Sequence, residues 1–88
     1  MKSRTTRKFW RLFDALSVAV QDHARRAYRL WRHDPSHPSL HFKRVSKAEP
    51  IYSIRIGFQH RALGQLEGDC VTWFWIGLHD EYERLLGG

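Results

Sequence analysis

The stretch VTWFWIGLHDEYERLL, residues 71–86, changes character halfway along its length. Its first six residues include two tryptophans and one phenylalanine, and they are almost entirely apolar. A strand that is apolar on both sides is typical of the interior of a sheet that is at least partly covered on both faces. Charged residues begin after Gly77 and Leu78, and a short helix is predicted from about His79. The stretch therefore predicts a buried strand that runs directly into a charged helix.

Three more strands are predicted upstream, where polar and apolar residues alternate at residues 40–43, 52–56 and 60–66. The turn sequence at residues 67–69 joins the last of these to the buried strand as a hairpin. Two helices come before the strands. The first is indicated by the helical spacing of Phe9, Leu12, Phe13 and Leu16. Thr5 or Thr6 is its predicted N-cap, and Ser17 is the predicted N-cap of the second helix. The second helix is expected to stop at Asp34, because a residue before proline disfavours the helical conformation.

This order of elements predicts an α+β fold. We expect an N-terminal antiparallel helical hairpin packed on one face of a four-stranded, mainly antiparallel sheet, followed by a short C-terminal helix. The second face of the sheet is expected to be concave and open, with Arg55 and Arg61 pointing towards it. The length of the chain predicts one domain over residues 1–88.

Cysteine content and hydropathy bear on the compartment. The chain has one cysteine, Cys70, so an internal disulfide is excluded and a reducing cytoplasm is expected. The basic start of the sequence is not followed by an apolar signal segment, and no apolar run approaches the length of a membrane span. We therefore expect a cytoplasmic protein that does not associate with membranes.

The positive charge of the chain is concentrated in its first half. Residues 1–47 carry 12 Lys and Arg against 3 Asp and Glu, whereas residues 48–88 carry 3 against 6. A clustered excess of this kind favours binding of a polyanion, such as nucleic acid or an acidic protein. The alternative is a basic surface that only keeps a small domain soluble.

Taken together, the segments KFWRLFDAL, HPSLHFKRV, IYSIRIGFQHRAL, EGDCVTWFWIG and HDEYERLL resemble the RelE/ParE superfamily, the toxins of type II toxin–antitoxin systems. The resemblance covers nearly the whole chain and implies a toxin that a cognate antitoxin neutralises. RelE-like members are mRNA interferases that cut messenger RNA on the ribosome and cause growth arrest. ParE-like members instead bind DNA gyrase and perform no chemistry. The fold does not decide between these activities.

We expect a metal-independent endoribonuclease of the RelE type. The alternatives are a gyrase inhibitor of the ParE type and a basic RNA-binding module without toxicity.

The resemblance also implies site residues. Arg61 follows Gly57 in a Gly-x-x-x-Arg loop, where RelE-like proteins carry an arginine, and it is assigned to stabilise the phosphate. Arg55 lies where RNA-cutting relatives often have a lysine, and it is expected to clamp phosphate without donating a proton. Tyr82 matches a C-terminal tyrosine that stacks on a base or assists the attack. The structural alternative for Arg61 is an exposed strand arginine in an ion pair. The structural alternative for Tyr82 is a tyrosine that packs the helix onto the sheet.

Proton transfer is assigned to His79, because histidine alone titrates near neutral pH without perturbation. A helix cap or a surface histidine is the alternative. Among the three neighbouring carboxylates, Asp80, Glu81 and Glu83, we select Glu81 as a candidate general base. All three are also explained as charges that stabilise the start of a helix. This acidic cluster departs from the more basic C-terminal ends of RNA-cutting relatives.

Two basic clusters are candidates for substrate or partner binding. The first is a row on one side of the second helix, Arg25, Arg29 and Arg32. The second lies beside the expected open face and consists of Lys43, Arg44 and Lys47. Either cluster suits ribosomal RNA or an acidic antitoxin. A solvated helix face with an Asp22–Arg26 ion pair is the alternative for the first.

No metal or cofactor is expected. His33, His37 and His41 recur every four residues, a spacing that gathers metal ligands only on a continuous helix. Pro35 and Pro38 interrupt any such helix.

Overall fold

The computed structural model describes residues 1–87 and contains a mixed five-stranded sheet with helices on both faces. Along the chain the elements are β1 (Lys2–Thr5), α1 (Arg7–Asp14), α2 (Val18–His33), β2 (Lys43–Arg44), β3 (Ile51–Ile56), β4 (His60–Glu67), β5 (Cys70–Leu78) and α3 (His79–Leu85). The strand order is β1-β5-β4-β3-β2, in which only β1 and β5 run parallel. The α+β class, the N-terminal helical pair and the C-terminal helix are confirmed.

The sheet has five strands rather than the four predicted. The additional strand, β1, pairs in parallel with Cys70–Trp73 of β5. Its sequence, KSRT, contains no apolar residue and so gives no strand pattern. Backbone hydrogen bonds hold it instead, and two lie at its ends: Lys2 N–H donates to Asp69 O at 2.8 Å, and Thr6 N–H donates to Trp73 O at 3.1 Å.

The strand predicted at residues 40–43 is wrong in extent. Residues Pro38–Leu40 form a single 3₁₀ turn, His41 is left-handed with φ 47°, and only Lys43–Arg44 pairs with β3. Leu40 and Phe42 both pack into the core beneath α2, so their spacing reflects loop packing and not a pleated strand.

Both helix starts are confirmed. The Thr6 hydroxyl accepts a hydrogen bond from Phe9 N–H at 3.1 Å, and the Ser17 hydroxyl accepts one from Val20 N–H at 3.3 Å. Helix α2 ends immediately before Asp34, as predicted. These caps satisfy backbone donors that have no partner within the helix.

A β-bulge in β5 sends its two tryptophans to opposite faces of the sheet. Leu63 of β4 pairs with Trp75, but the next residue, Gly64, pairs with Trp73, so Phe74 is an extra residue in β5. An extra residue reverses the alternation of side chains beyond it. Trp73 and Trp75 are 3% and 6% exposed, which confirms the prediction that this strand is buried on both faces.

Each tryptophan belongs to a separate apolar cluster. Trp73 packs edge-on against Trp31, with ring centroids 5.2 Å apart, in the larger cluster under α1 and α2. Trp75 packs with Leu63 and Tyr82 under α3. We call the first side of the sheet the helical face and the second the α3 face. The α3 face is therefore partly covered, contrary to the expectation that it is open.

The close approach of Trp73 to β4 makes Gly64→Ala a destabilising change. A Cβ at Gly64 would clash with the Val71 side chain and lie 2.8 Å from Trp73 Cε3. Overpacking of this kind costs about 1–3 kcal/mol. Urea unfolding followed by tryptophan fluorescence should show this loss. Gly68→Asn is the control, because Gly68 has open space around it and asparagine tolerates its positive φ. Equal stabilities of the two variants would contradict the packing described for Trp73.

Acid sensitivity is expected from His60, at the start of β4. Burial lowers its pKa from the ordinary 6.5, and the positive charge of His23 lowers it further, while Glu81 opposes both. The unfolded chain therefore takes up the proton first, so stability is full above about pH 6.5 and falls as the pH drops through the folded-state pKa. The free energy of unfolding, measured at several pH values across this range, should depend less on pH for His60→Gln than for the wild type. His33→Gln, at an exposed position, should leave the pH dependence unchanged. An unaltered profile for His60→Gln would contradict the role of His60.

Candidate functional site

Two arginines stand directly opposite each other on neighbouring strands. Arg55 of β3 and Arg61 of β4 are cross-strand partners, and Arg61 shares the α3 face with Leu63, two residues further along β4. Burial lowers the pKa of Arg61, and so does the charge of Arg55. Directly opposed like charges are unfavourable in a sheet. An arginine nevertheless stays protonated at neutral pH, so the pair presents a double positive charge suited to an anion.

Both guanidinium groups are held by backbone carbonyls. Arg61 Nη1 donates to His60 O at 2.8 Å, and Arg55 Nε donates to Gly57 O at 3.0 Å. Gly57 has φ 60°, a conformation that favours glycine, and it opens the turn between β3 and β4. The prediction that both arginines point to one face of the sheet agrees with this arrangement.

His79 lies at the first position of α3, where β5 ends. Its N–H donates to Gln59 O at 2.7 Å, which ties the helix start to the β3–β4 turn. Its Nε2 lies 3.1 Å from Glu83 Oε1, one helical turn further along. Arg61 pairs with Gly77 of β5, two residues before His79, and the charge of Glu83 opposes the lowering of the Arg61 pKa. A histidine–carboxylate pair therefore adjoins the two arginines.

Glu81, selected from the sequence as the general base, is an exposed residue of α3. Its charge acts on the pKa of His60, whose neighbours on β3 and α2 lie on the helical face. Glu83 is the acidic residue that contacts His79, and the sequence analysis explained it only as a charge at the helix start. The i,i+4 spacing from His79 to Glu83 was the available signal, since residues four apart are neighbours on a helix.

Tyr82 is 7% exposed and packs against Leu63 and Trp75. Its ring is therefore not available for stacking on a base. Tyr82 instead packs α3 onto the sheet, which is the structural alternative given for it above. The same ring lies against the His79 imidazole, with centroids 5.4 Å apart and planes inclined by 24°. The Tyr82 ring thus stacks against one face of the His79 imidazole.

The second basic cluster is divided by the pleat of the sheet. Lys43 pairs with Ser53, which shares its side of β3 with Arg55. Arg44 pairs with Tyr52 on the opposite side, and its guanidinium donates to the carbonyls of Ser46 and Lys47 at 2.9 and 3.3 Å. Of this cluster, Lys43 is the strand residue on the same face as the arginine pair.

A groove of about 370 Å³ separates α1 from α2 on the helical face. Its floor and walls are apolar and aromatic: Phe9, Trp10, Phe13, Ala24, Tyr28, Ile54, Ile56, Ala62, Trp73 and Ile76. Its charged lining residues are Arg4, Arg25 and Arg29. The sequence indicated two amphipathic helices but did not predict a gap between them. Side-chain hydrogen bonds join both helices to β1. Trp10 of α1 donates to Thr5, and Tyr28 of α2 is hydrogen-bonded to Ser3.

The α2 arginines differ in their surroundings. Arg25 pairs with Asp22 at 3.3 Å, in place of the predicted Asp22–Arg26 pair, and it lies over the Phe13 ring at 5.1 Å. Arg29 lines the groove, whereas Arg32 is not among the lining residues and contacts the Tyr28 hydroxyl at 3.3 Å. The row predicted from the sequence therefore divides between the groove and the surface beside it.

Of the regularly spaced histidines, His37 has a structural role in the loop after α2. The His37 ring accepts a hydrogen bond from Ser39 N–H at 3.2 Å and caps the 3₁₀ turn. Within residues 1–87 there is no group of three or more histidine, cysteine or acidic side chains arranged to hold a metal ion. In the same part of the chain, no helix combines the length and the apolar character that a membrane crossing requires.

Solved toxin structures share this fold. A chain of the RelB–RelE antitoxin–toxin complex from Methanococcus jannaschii matches with a TM-score of 0.74 at 12% identity, covering 93% of this chain and 96% of that chain. The YoeB/ParE toxin from Agrobacterium tumefaciens matches with a TM-score of 0.71 at 15% identity, covering 90% and 99%. YafQ from Escherichia coli matches with a TM-score of 0.73 at 7% identity, covering 92% and 96%. At these identities the matches establish the fold.

The family is established by sequence. No curated protein matches the chain significantly. The family model of the ParE-like toxin domain, however, matches residues 18–84, which is more than half of the chain and includes α2, β2–β5 and most of α3. The protein therefore belongs to the ParE-like toxin family and is a toxin of the RelE/ParE superfamily.

Proposed function

We propose that this protein is the toxin of a type II toxin–antitoxin module and that it cleaves messenger RNA on the ribosome. Translation in the cytoplasm would then stop, and growth would arrest. The observation that carries the proposal is the fixed Arg55–Arg61 pair beside the His79–Glu83 pair. Cations for a phosphate and a group that moves a proton are what phosphodiester cleavage requires.

The reaction proposed is attack by a ribose 2′-oxygen on the adjacent phosphorus. The O2′–P bond forms and the P–O5′ bond breaks, which leaves a 2′,3′-cyclic phosphate and a 5′-hydroxyl. Negative charge on the non-bridging oxygens increases in the transition state. Arg55 and Arg61 stabilise that charge, and Lys43 adds a third cation further along the same face.

His79 moves the proton in this proposal. In the neutral tautomer that directs Nε2–H to Glu83, at 3.1 Å, Nδ1 is the ring nitrogen that can accept the proton of the 2′-hydroxyl. The imidazolium then returns a proton to the leaving 5′-oxygen. Glu83 stabilises the imidazolium, and the Tyr82 ring keeps the imidazole in its plane.

Substitutions at the site test the chemistry. Removing a phosphate-binding cation costs about 10²–10³-fold in rate, so the cleavage rate of the Arg61→Ala variant should be lower than that of the wild type by this factor. Removing a general acid–base residue costs about 10²–10⁴-fold, which is the expectation for His79→Asn. The measurement is cleavage of a defined messenger RNA in a purified translation system, with mapping of 5′-hydroxyl ends. Arg84→Ala is the control, since Arg84 is an exposed α3 residue. Full activity of both site variants would contradict the assignment.

Inhibition of gyrase without chemistry is the second candidate, and the ParE-like family match favours it. Expression in cells separates the two candidates. Intact transcripts together with trapped gyrase–DNA breaks would refute RNA cleavage. RNA binding with neither cleavage nor growth arrest would support a basic RNA-binding module instead.

The partner proposed is a cognate antitoxin that places an amphipathic helix in the groove between α1 and α2. RelB–RelE complexes have been solved for two proteins of this fold. In this chain the groove has an apolar floor that includes Ile54 and Trp73, and its charged lining residues are all arginines. An apolar helix face flanked by acidic residues complements that surface.

Charge reversal at the groove tests this partner. Arg29→Glu should weaken binding of the protein encoded by the neighbouring reading frame by about tenfold, with a smaller salt dependence, because an attractive lining charge becomes repulsive. Arg26→Glu makes the same change on α2 outside the groove lining and serves as the control. Isothermal titration of the purified pair gives both affinities. Equal affinities for the two variants would place the partner elsewhere.

A further inference from the structure

The turn between β3 and β4 exposes an aromatic ring beside the arginine pair. Phe58, at the tip of this turn, is 88% exposed, the largest exposed fraction among the large apolar side chains. The Arg55 guanidinium lies over the ring, 5.2 Å from its centroid. The Arg55–Gly57 hydrogen bond described above fixes the guanidinium in this position. The ring thus has a cation near one face and remains almost fully exposed to solvent.

Phe58, Arg55 and Arg61 form a row. Arg55 faces Arg61 across the two strands and contacts Phe58 through the turn. Proteins that bind single-stranded nucleic acid combine cations along the phosphates with an aromatic face on which a base stacks. A guanidinium on the opposite face of the ring adds a favourable cation–π contact.

We propose that Phe58 stacks on an unpaired base of the RNA strand whose phosphate Arg55 and Arg61 hold. This inference rests on the proposed function, since it takes RNA as the substrate. Tyr82 does not provide the stacking surface because it is buried. Of the other exposed aromatic side chains in residues 1–87, Trp10 and Tyr28 line the groove on the helical face. Every base has a π-face, so stacking on Phe58 is tolerant of sequence.

Binding of a short, fully 2′-O-methylated RNA strand to the full chain tests the inference without cleavage. Fluorescence anisotropy at fixed salt should show affinity about tenfold or more weaker for Phe58→Ala and Phe58→Leu, because alanine lacks the ring and leucine keeps only apolar volume. Phe58→Tyr keeps the ring and should bind within about threefold of wild type.

The salt dependence distinguishes stacking from charge. Phe58→Leu should leave the slope of log affinity against log salt unchanged, whereas Arg55→Ala should reduce it by about 0.7, the value for one phosphate contact on a single strand. Wild-type affinity of the alanine and leucine variants would overturn the inference, as would failure of the wild type to bind the strand.

Cleavage of unmodified messenger RNA is measured in parallel. A wild type that binds through Phe58 but does not cut refutes the proposed function and leaves the stacking role standing. A wild type that cuts, with Phe58→Ala binding normally, refutes the stacking role alone.

Discussion

The extra residue in β5 is the constraint on which the rest of the structure depends. A regular strand would place Trp73 and Trp75 on the same face, and both indoles would then belong to one cluster. With Phe74 inserted, each face receives one indole, and each indole nucleates its own cluster. The helices α1 and α2 pack on one cluster and α3 on the other. Because α3 starts where β5 stops, the bulge also sets where the His79 end of α3 lies relative to the strands.

The residues of the candidate site lie at the ends of strands β3 and β4 and at the start of helix α3. Arg55 and Arg61 lie near the β3–β4 turn, and His79 is hydrogen-bonded to that turn through Gln59. Directly opposed like charges are unfavourable in a sheet, and burial together with the charge of Arg55 lowers the pKa of Arg61. Glu83 partly offsets this lowering. An anion placed between two like charges reduces their repulsion.

The sequence predicted those elements whose signal is local. Caps at Thr6 and Ser17, and the hairpin before β5, follow from short-range chemistry. Strand β1 was missed because an edge strand held by backbone hydrogen bonds needs no apolar pattern. At the site, the resemblance to RelE-like proteins indicated both arginines, and the chemistry of histidine indicated His79. The i,i+4 spacing was compatible with the His79–Glu83 contact, but spacing does not show how α3 is rotated against the sheet. The groove depended likewise on the distance between two helices.

The groove and the arginine pair lie on opposite faces of one sheet, and this separation has an evolutionary consequence. Residues that contact no common partner contribute almost additively to stability and binding. A substitution at Arg29 and one at Arg61 should therefore combine without interaction, because the sheet lies between them. Leu12 packs against both clusters, so a substitution there is expected to affect both faces of the sheet. One surface can therefore change in sequence while the other stays the same, so the fold can diversify on one face without altering the opposite face.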